Sequence, residues 1–204
     1  MPLVENSGLS RRDALRRIAV GGIGAVTSAS WVENLSALAR VQAEHVHTAL
    51  ATAQSTAAWA PKVLSVQQHQ TVAVLVELII PQTTTPGAKA ALVDRFIDTL
   101  LDAAERPDKE RFLSGLAWLD ARSQALYRST FLSASPAQQV ELLTRLSTGA
   151  SAEHRDGEEF FTAFKSMTIT GYYTSEIGLR DELGDNGQLF LPRFEGCTHP
   201  EHQG

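Results

Sequence analysis

From Ser65 onward, apolar side chains recur at three- and four-residue spacing, the period of an α-helix. Between Val66 and Ile80 the stripe is Val72, Leu75, Val76, Ile79 and Ile80. Ser65, with Gln68 three positions on, has the form of a capping box. Pro81 ends this helix, because the residue before a proline is steered away from helical geometry. After the polar loop Gln82-Thr83-Thr84, Thr85 is placed to cap a second helix with Pro86 at its first position. Leu92, Phe96, Leu100 and Ala103 line its inner face. A third helix is expected from near Pro107, carrying Phe112, Leu116, Leu119 and Ser123 on one side. A fourth starts at Ser135-Pro136, with a second capping box to Gln138, and buries Val140, Leu143 and Leu146. The fifth begins near Gly157, carries Phe160, Phe161, Phe164 and Met167, and runs out near Tyr172 or Ser175. No alternating strand pattern occurs over these residues. The pattern predicts an all-α domain over residues 65–176, a small bundle of about five helices.

The flanks read differently. Arg40 to Lys62 is rich in alanine, threonine and glutamine with weak periodicity, so residues 40–64 are expected as an extended arm. Such an arm buries too little apolar surface to offset its ordering entropy unless it lies along another protein. Residues 177–204 are punctuated by glycine and proline and are expected as an irregular tail. Leu189, Phe190, Leu191 and Phe194 are more apolar surface than such a tail needs, which points to a binding partner.

Ahead of the arm, Gly22-Ile23-Gly24 suggests a dinucleotide-binding loop, but the third glycine position holds Thr27. The preceding Ser10 to Val20 is basic and helix-prone, unlike the buried strand such a loop follows, and Glu44 has no strand before it. Ser10-Arg11-Arg12-Asp13-Ala14-Leu15-Arg16 is instead similar to the twin-arginine export motif. The apolar run Ile18 to Trp31 is short and diluted with small polar residues, so a permanent membrane anchor is not expected. Ala37-Leu38-Ala39 supplies a small-x-small cleavage site. Residues 1–39 are therefore expected to be a signal peptide, with Arg11 and Arg12 as its export determinant and the mature protein periplasmic.

Charge narrows the partners. The first 39 residues hold four of the 18 basic and three of the 23 acidic side chains, leaving a formal charge of −6 on the remainder. With no basic cluster left, nucleic acid and anionic membrane are disfavoured. About 165 residues suffice for one modest core. The single cysteine, Cys197, suits either an intermolecular disulfide or a free thiol in an oxidising compartment. No nucleophile elbow, haem-attachment motif or phosphate loop is present. His45-x-His47 and Cys197-x-His199-x-x-His202 are the best metal candidates, and neither has the spacing of a structural zinc pair. Glu158 and Glu159 are adjacent, so on a helix they diverge and favour its positive start.

Two segments carry a family resemblance. Glu77 to Leu101, "ELIIPQTTTPGAKAALVDRFIDTLL", resembles the helix–Pro–loop–Pro-Gly-Ala–helix signature of the gluconate 2-dehydrogenase subunit 3 family. Met167 to Leu183, "MTITGYYTSEIGLRDEL", is similar to its Gly-Tyr-(Tyr/Phe)-x-Ser-Glu signature, and "EGC" to a Gly-Cys near the end. The resemblance covers roughly Gln67 to Cys197. It implies the non-catalytic small, or gamma, subunit of an FAD-dependent dehydrogenase of sugars, sugar acids, glycosides or polyols. The cofactor implied is FAD in a large catalytic partner of the glucose–methanol–choline oxidoreductase type, with none in this chain; a third subunit would carry haem c. It implies that the small subunit escorts the folded flavin subunit through the twin-arginine translocase. Carried onto this sequence, it makes Pro81, Pro86 and Gly87 parts of a fixed turn. It places Gly171, Tyr172, Tyr173, Ser175 and Glu176 at a structural or partner-facing corner, and gives Cys197 an inter-subunit disulfide. Two other readings stay open: a free-standing periplasmic metal protein or enzyme using the histidines of the arms, and a structural protein held by an uncleaved signal.

Overall fold

The structure, a computed structural model, describes residues 30–53, 59–149 and 155–186. The described residues form six α-helices and a closing π-helical turn, without a strand. They are α1 (Ser30–Ala53), α2 (Val66–Ile79), α3 (Val93–Ala103), α4 (Arg106–Tyr127), α5 (Pro136–Thr148) and α6 (Arg155–Tyr173), then the turn Ile177–Glu182. The fold is all-α, as the apolar period predicts.

The bundle is organised around α6, which packs against each of the other five helices. Its inner side chains Phe160, Phe161, Phe164, Met167 and Tyr172 are all buried. Phe112 of α4 meets Phe160 edge-on, at 5.4 Å between ring centroids and 66° between planes. That approach depends on Gly115, where a Cβ would stand 2.3 Å from the Phe160 ring. Ser65 and Ser135 cap α2 and α5 through complete capping boxes with Gln68 and Gln138.

The largest difference from the sequence expectation is α1. Where an extended arm was expected over residues 40–64, a helix runs from within the expected signal peptide to Ala53 and lies along α6. Trp31, Leu35, Ala39, Ala43 and Val46 are all buried, spaced by one helical turn. Alanine at two of these five positions keeps the stripe faint in hydrophobicity, yet lets the helices approach closely, and alanine is the strongest helix former. Two long-range bonds fasten the N-terminal half: Trp31 Nε1 donates to Glu159 Oε2 at 3.4 Å and Asn34 Nδ2 to Asp108 Oδ2 at 3.2 Å.

Residues 59–65 are also held down. The carboxylate of Asp98, 1% exposed, accepts the backbone N–H groups of Lys62, Val63 and Leu64 at 2.7, 3.1 and 2.9 Å. Nearby, His69 Nε2 lies 2.7 Å from Asp94 Oδ2, Trp59 covers the His69 ring, and Arg95 covers Trp59.

Three smaller corrections concern helix faces and ends. α3 starts at Val93 and not at Pro86, for reasons given by the loop contacts below. Val140 is 42% exposed, and Gln139, Leu142, Leu143 and Leu146 form the inner face of α5. The bond from Gln139 Nε2 to the Phe131 carbonyl, 2.8 Å, fixes that rotation. Ala103 faces solvent in the last turn of α3, while Leu101 beside it is buried.

Candidate functional site

The two motif segments, some ninety residues apart in sequence, meet at one corner of the bundle. Glu77, in the last turn of α2, turns its carboxylate onto the loop that follows. Oε1 accepts Gln82 N–H at 2.8 Å and Oε2 accepts Lys89 N–H at 3.1 Å. Gly87 sits against this carboxylate, and a Cβ there would be 2.6 Å from both Gln82 N and Glu77 Oε1. The Ala88 N–H returns to the Ile80 carbonyl at 2.9 Å, folding the loop back on α2. Leu92 takes a left-handed conformation, φ 57°, immediately ahead of α3. Thr85-Pro86 has the local chemistry of a helix start, and these tertiary bonds override it.

The second segment closes over the first. Tyr172, buried completely in the last turns of α6, donates its hydroxyl to the Pro86 carbonyl at 2.8 Å. Thr85 Oγ1 donates to Glu182 Oε2 of the π-helical turn. Ser175 shapes the junction: its hydroxyl donates to the Tyr172 carbonyl at 2.6 Å and accepts Gly178 N–H at 3.0 Å. Gly178 admits no side chain, since a Cβ would lie 1.9 Å from the Tyr172 carbonyl oxygen. The turn from Ile177 to Glu182 that contains Gly178 is π-helical.

α1 supplies the third side. His47 stacks on Phe96 at 5.1 Å and 15°, and its Nε2 lies 2.9 Å from Thr174 Oγ1. Burial lowers the His47 pKa below its ordinary 6.5, and a hydrogen bond with the Gly171 backbone acts in the opposite direction. Phe96 reaches this place because Gly171 has no Cβ; one would stand 2.7 Å from the ring.

The motif residues therefore divide by exposure. Gly87, Gly171, Tyr172 and Ser175 are buried and hold the corner, with Pro81 and Pro86 half-buried in its loop. Tyr173 is half-buried, edge-on to Tyr172 at 5.2 Å. Thr174 and Glu176 face solvent, Glu176 paired with Arg180, and Leu183 is 60% exposed at the rim. Sequence reasoning missed Glu77, Gly178 and Glu182, although all three fall inside the quoted motifs. The sequence signal for Glu77 is a carboxylate one helical turn before Pro81, the proline that ends the helix.

Other candidates lie apart from this corner. Ala37 and Ala39 sit inside α1, Ala37 exposed and Ala39 completely buried. His45 is exposed, whereas His47 turns to Phe96. Arg11, Arg12, Phe190, Phe194, Cys197, His199 and His202 lie outside the described residues. Among the described residues, no group of three or more His, Cys, Asp or Glu side chains could hold a metal ion. No described helix is long and apolar enough to cross a membrane. A cleft of about 150 Å³ between Trp31 and Trp118 is far below the few hundred Å³ of a ligand pocket, so it does not fit a flavin.

No curated protein and no solved structure matches the chain. A protein-family model matches residues 66–187, from the first residue of α2 through both motif segments. With both motif segments and their junction inside the matched stretch, the chain belongs to the gluconate 2-dehydrogenase subunit 3 family.

Proposed function

We propose that this chain is the non-catalytic small subunit of a periplasmic FAD-dependent dehydrogenase complex acting on a sugar, sugar acid, glycoside or polyol. The large flavin subunit performs the hydride chemistry, and a cytochrome c subunit can receive the electrons. This chain grips the flavin subunit, stabilises it and carries it through the twin-arginine translocase by Arg11 and Arg12.

The observation that carries this reading is the locked corner. Its polar groups are spent on one another: Glu77 on two backbone donors, Tyr172 on Pro86, Ser175 on Gly178 and Glu182 on Thr85. A corner built this way is a rigid platform, which lowers the entropic cost of binding a partner. Leu183 and the half-buried Tyr173 give it an apolar rim, and the sequence that follows carries Leu189, Phe190, Leu191 and Phe194. Platform and tail together suit a macromolecular partner. Cys197 lies in that tail, where a disulfide to the partner would slow dissociation.

The test is export of the flavin subunit from its native host. With this chain intact, the flavin subunit is expected in the periplasmic fraction. With Arg11→Lys and Arg12→Lys combined, it is expected to remain in the cytoplasm. Unchanged export of the flavin subunit in the double variant would defeat the escort role.

A further inference from the structure

Deepening the export reading, we infer that the exported protein keeps α1 whole, so that signal processing reaches no further along the chain than Ala29. Thr27-Ser28-Ala29 offers a small-x-small triplet directly ahead of Ser30, the first residue of α1. The export arm of this inference rests on the proposed function; the structural arm does not.

A signal peptidase hydrolyses one peptide bond, with water supplying the hydroxyl of the new carboxylate and a proton of the new amine. To do so it must bind the residues around the bond in an accessible, unwound form. Ala37-Leu38-Ala39 does not offer that form. The triplet lies in the interior of a helix, Ala39 is 0% exposed, and Leu35 and Ser36 just before it are buried. Cleavage inside a packed element requires local opening, and opening is costliest where the buried contacts are densest.

A cut after Ala39 would also dismantle the core. Trp31 and Leu35 would leave, and with them the bonds Trp31–Glu159 and Asn34–Asp108 that tie α1 to α6 and α4. Twin-arginine export carries folded chains, so the processing enzyme meets α1 already packed. A cut at Ala29 removes none of these contacts. The packed helix α1 thus excludes Ala37-Leu38-Ala39 as the point of cleavage.

Two measurements on the full-length gene test this. The first is the intact mass of the C-terminally tagged protein purified from the native periplasm. An N-terminus at or before Ser30 is expected, an uncut chain included, and an N-terminus at Arg40 would overturn the inference. The second is thermal unfolding of the full chain carrying Leu35→Ala, which creates a cavity at a residue upstream of Ala39. A fall in Tm of about 5–15 °C is expected for a buried leucine in a chain of this size. An unchanged Tm would overturn the inference whatever the location of the protein. If Leu35→Ala does not fold, the milder Ala39→Gly should still lower Tm, and its failure to do so would be equally decisive. A protein found only in the cytoplasm would sink the export reading, and the unfolding result would still decide whether α1 belongs to the fold.

Discussion

His47 occupies a place where a charged imidazole is unfavourable, stacked on Phe96 with Thr174 at its Nε2. Burial lowers its folded pKa below the ordinary 6.5. As pH falls through 6.5, the unfolded chain therefore takes up a proton at this site before the folded protein does. Proton uptake favours the state that binds more protons, so this site contributes a loss of stability as pH falls below 6.5. His47→Gln keeps a hydrogen-bonding side chain and removes the titration. Denaturant unfolding at pH 7.5 and 5.5 should show a smaller acid loss in the variant; equal losses would mean that His47 titrates alike in both states. This role was not legible in the sequence, where His45-x-His47 suggested a metal pair. Its partners are the Phe96 ring of α3 and the Thr174 hydroxyl just past α6, and only the fold brings them to α1. By contrast, the Ser65 and Ser135 caps were legible, because a capping box is satisfied within four residues.

At the scale of elements, the decisive contacts are side chains that anchor connecting backbone. Asp98 of α3 holds residues 62–64 through three backbone N–H groups. Asp98→Asn would turn one acceptor oxygen into a donor facing those N–H groups. Charge-assisted bonds of this kind contribute about 1.5–3 kcal/mol each, with strong mutual dependence, so a net loss of roughly 2–4 kcal/mol is expected. Equilibrium unfolding measures it, and a loss within experimental error would show that the segment is held elsewhere. α2, α4 and α6 could be read from sequence because large apolar side chains mark the buried face: valine and leucine in α2, leucine and phenylalanine in α4, phenylalanine and methionine in α6. α1 could not, since Ala39 and Ala43 mark its buried face with small side chains that are equally common on surfaces. The start of α3 was misplaced for a different reason. Thr85-Pro86-Gly87 satisfies the local rules for a helix start, but Glu77 and Tyr172 hold this stretch as a loop.

For the whole molecule, the family match and the locked corner bear on one claim: this chain acts by holding another protein. The corner joins α2, the loop to α3, α6 and α1 into one unit, and the sequence beyond it is rich in apolar residues. Fold class and motif positions were readable from sequence, because each motif is compact along the chain. Their meeting was not, since the Tyr172–Pro86 and Thr85–Glu182 contacts span most of the domain. The most direct test is to tag the chain at its C-terminus in its native host, purify it without reductant, and record its subunit composition and visible spectrum. The account predicts a yellow complex of this chain with a much larger flavin-bearing subunit. A colourless chain purified alone, from cells that also contain that subunit, would contradict it.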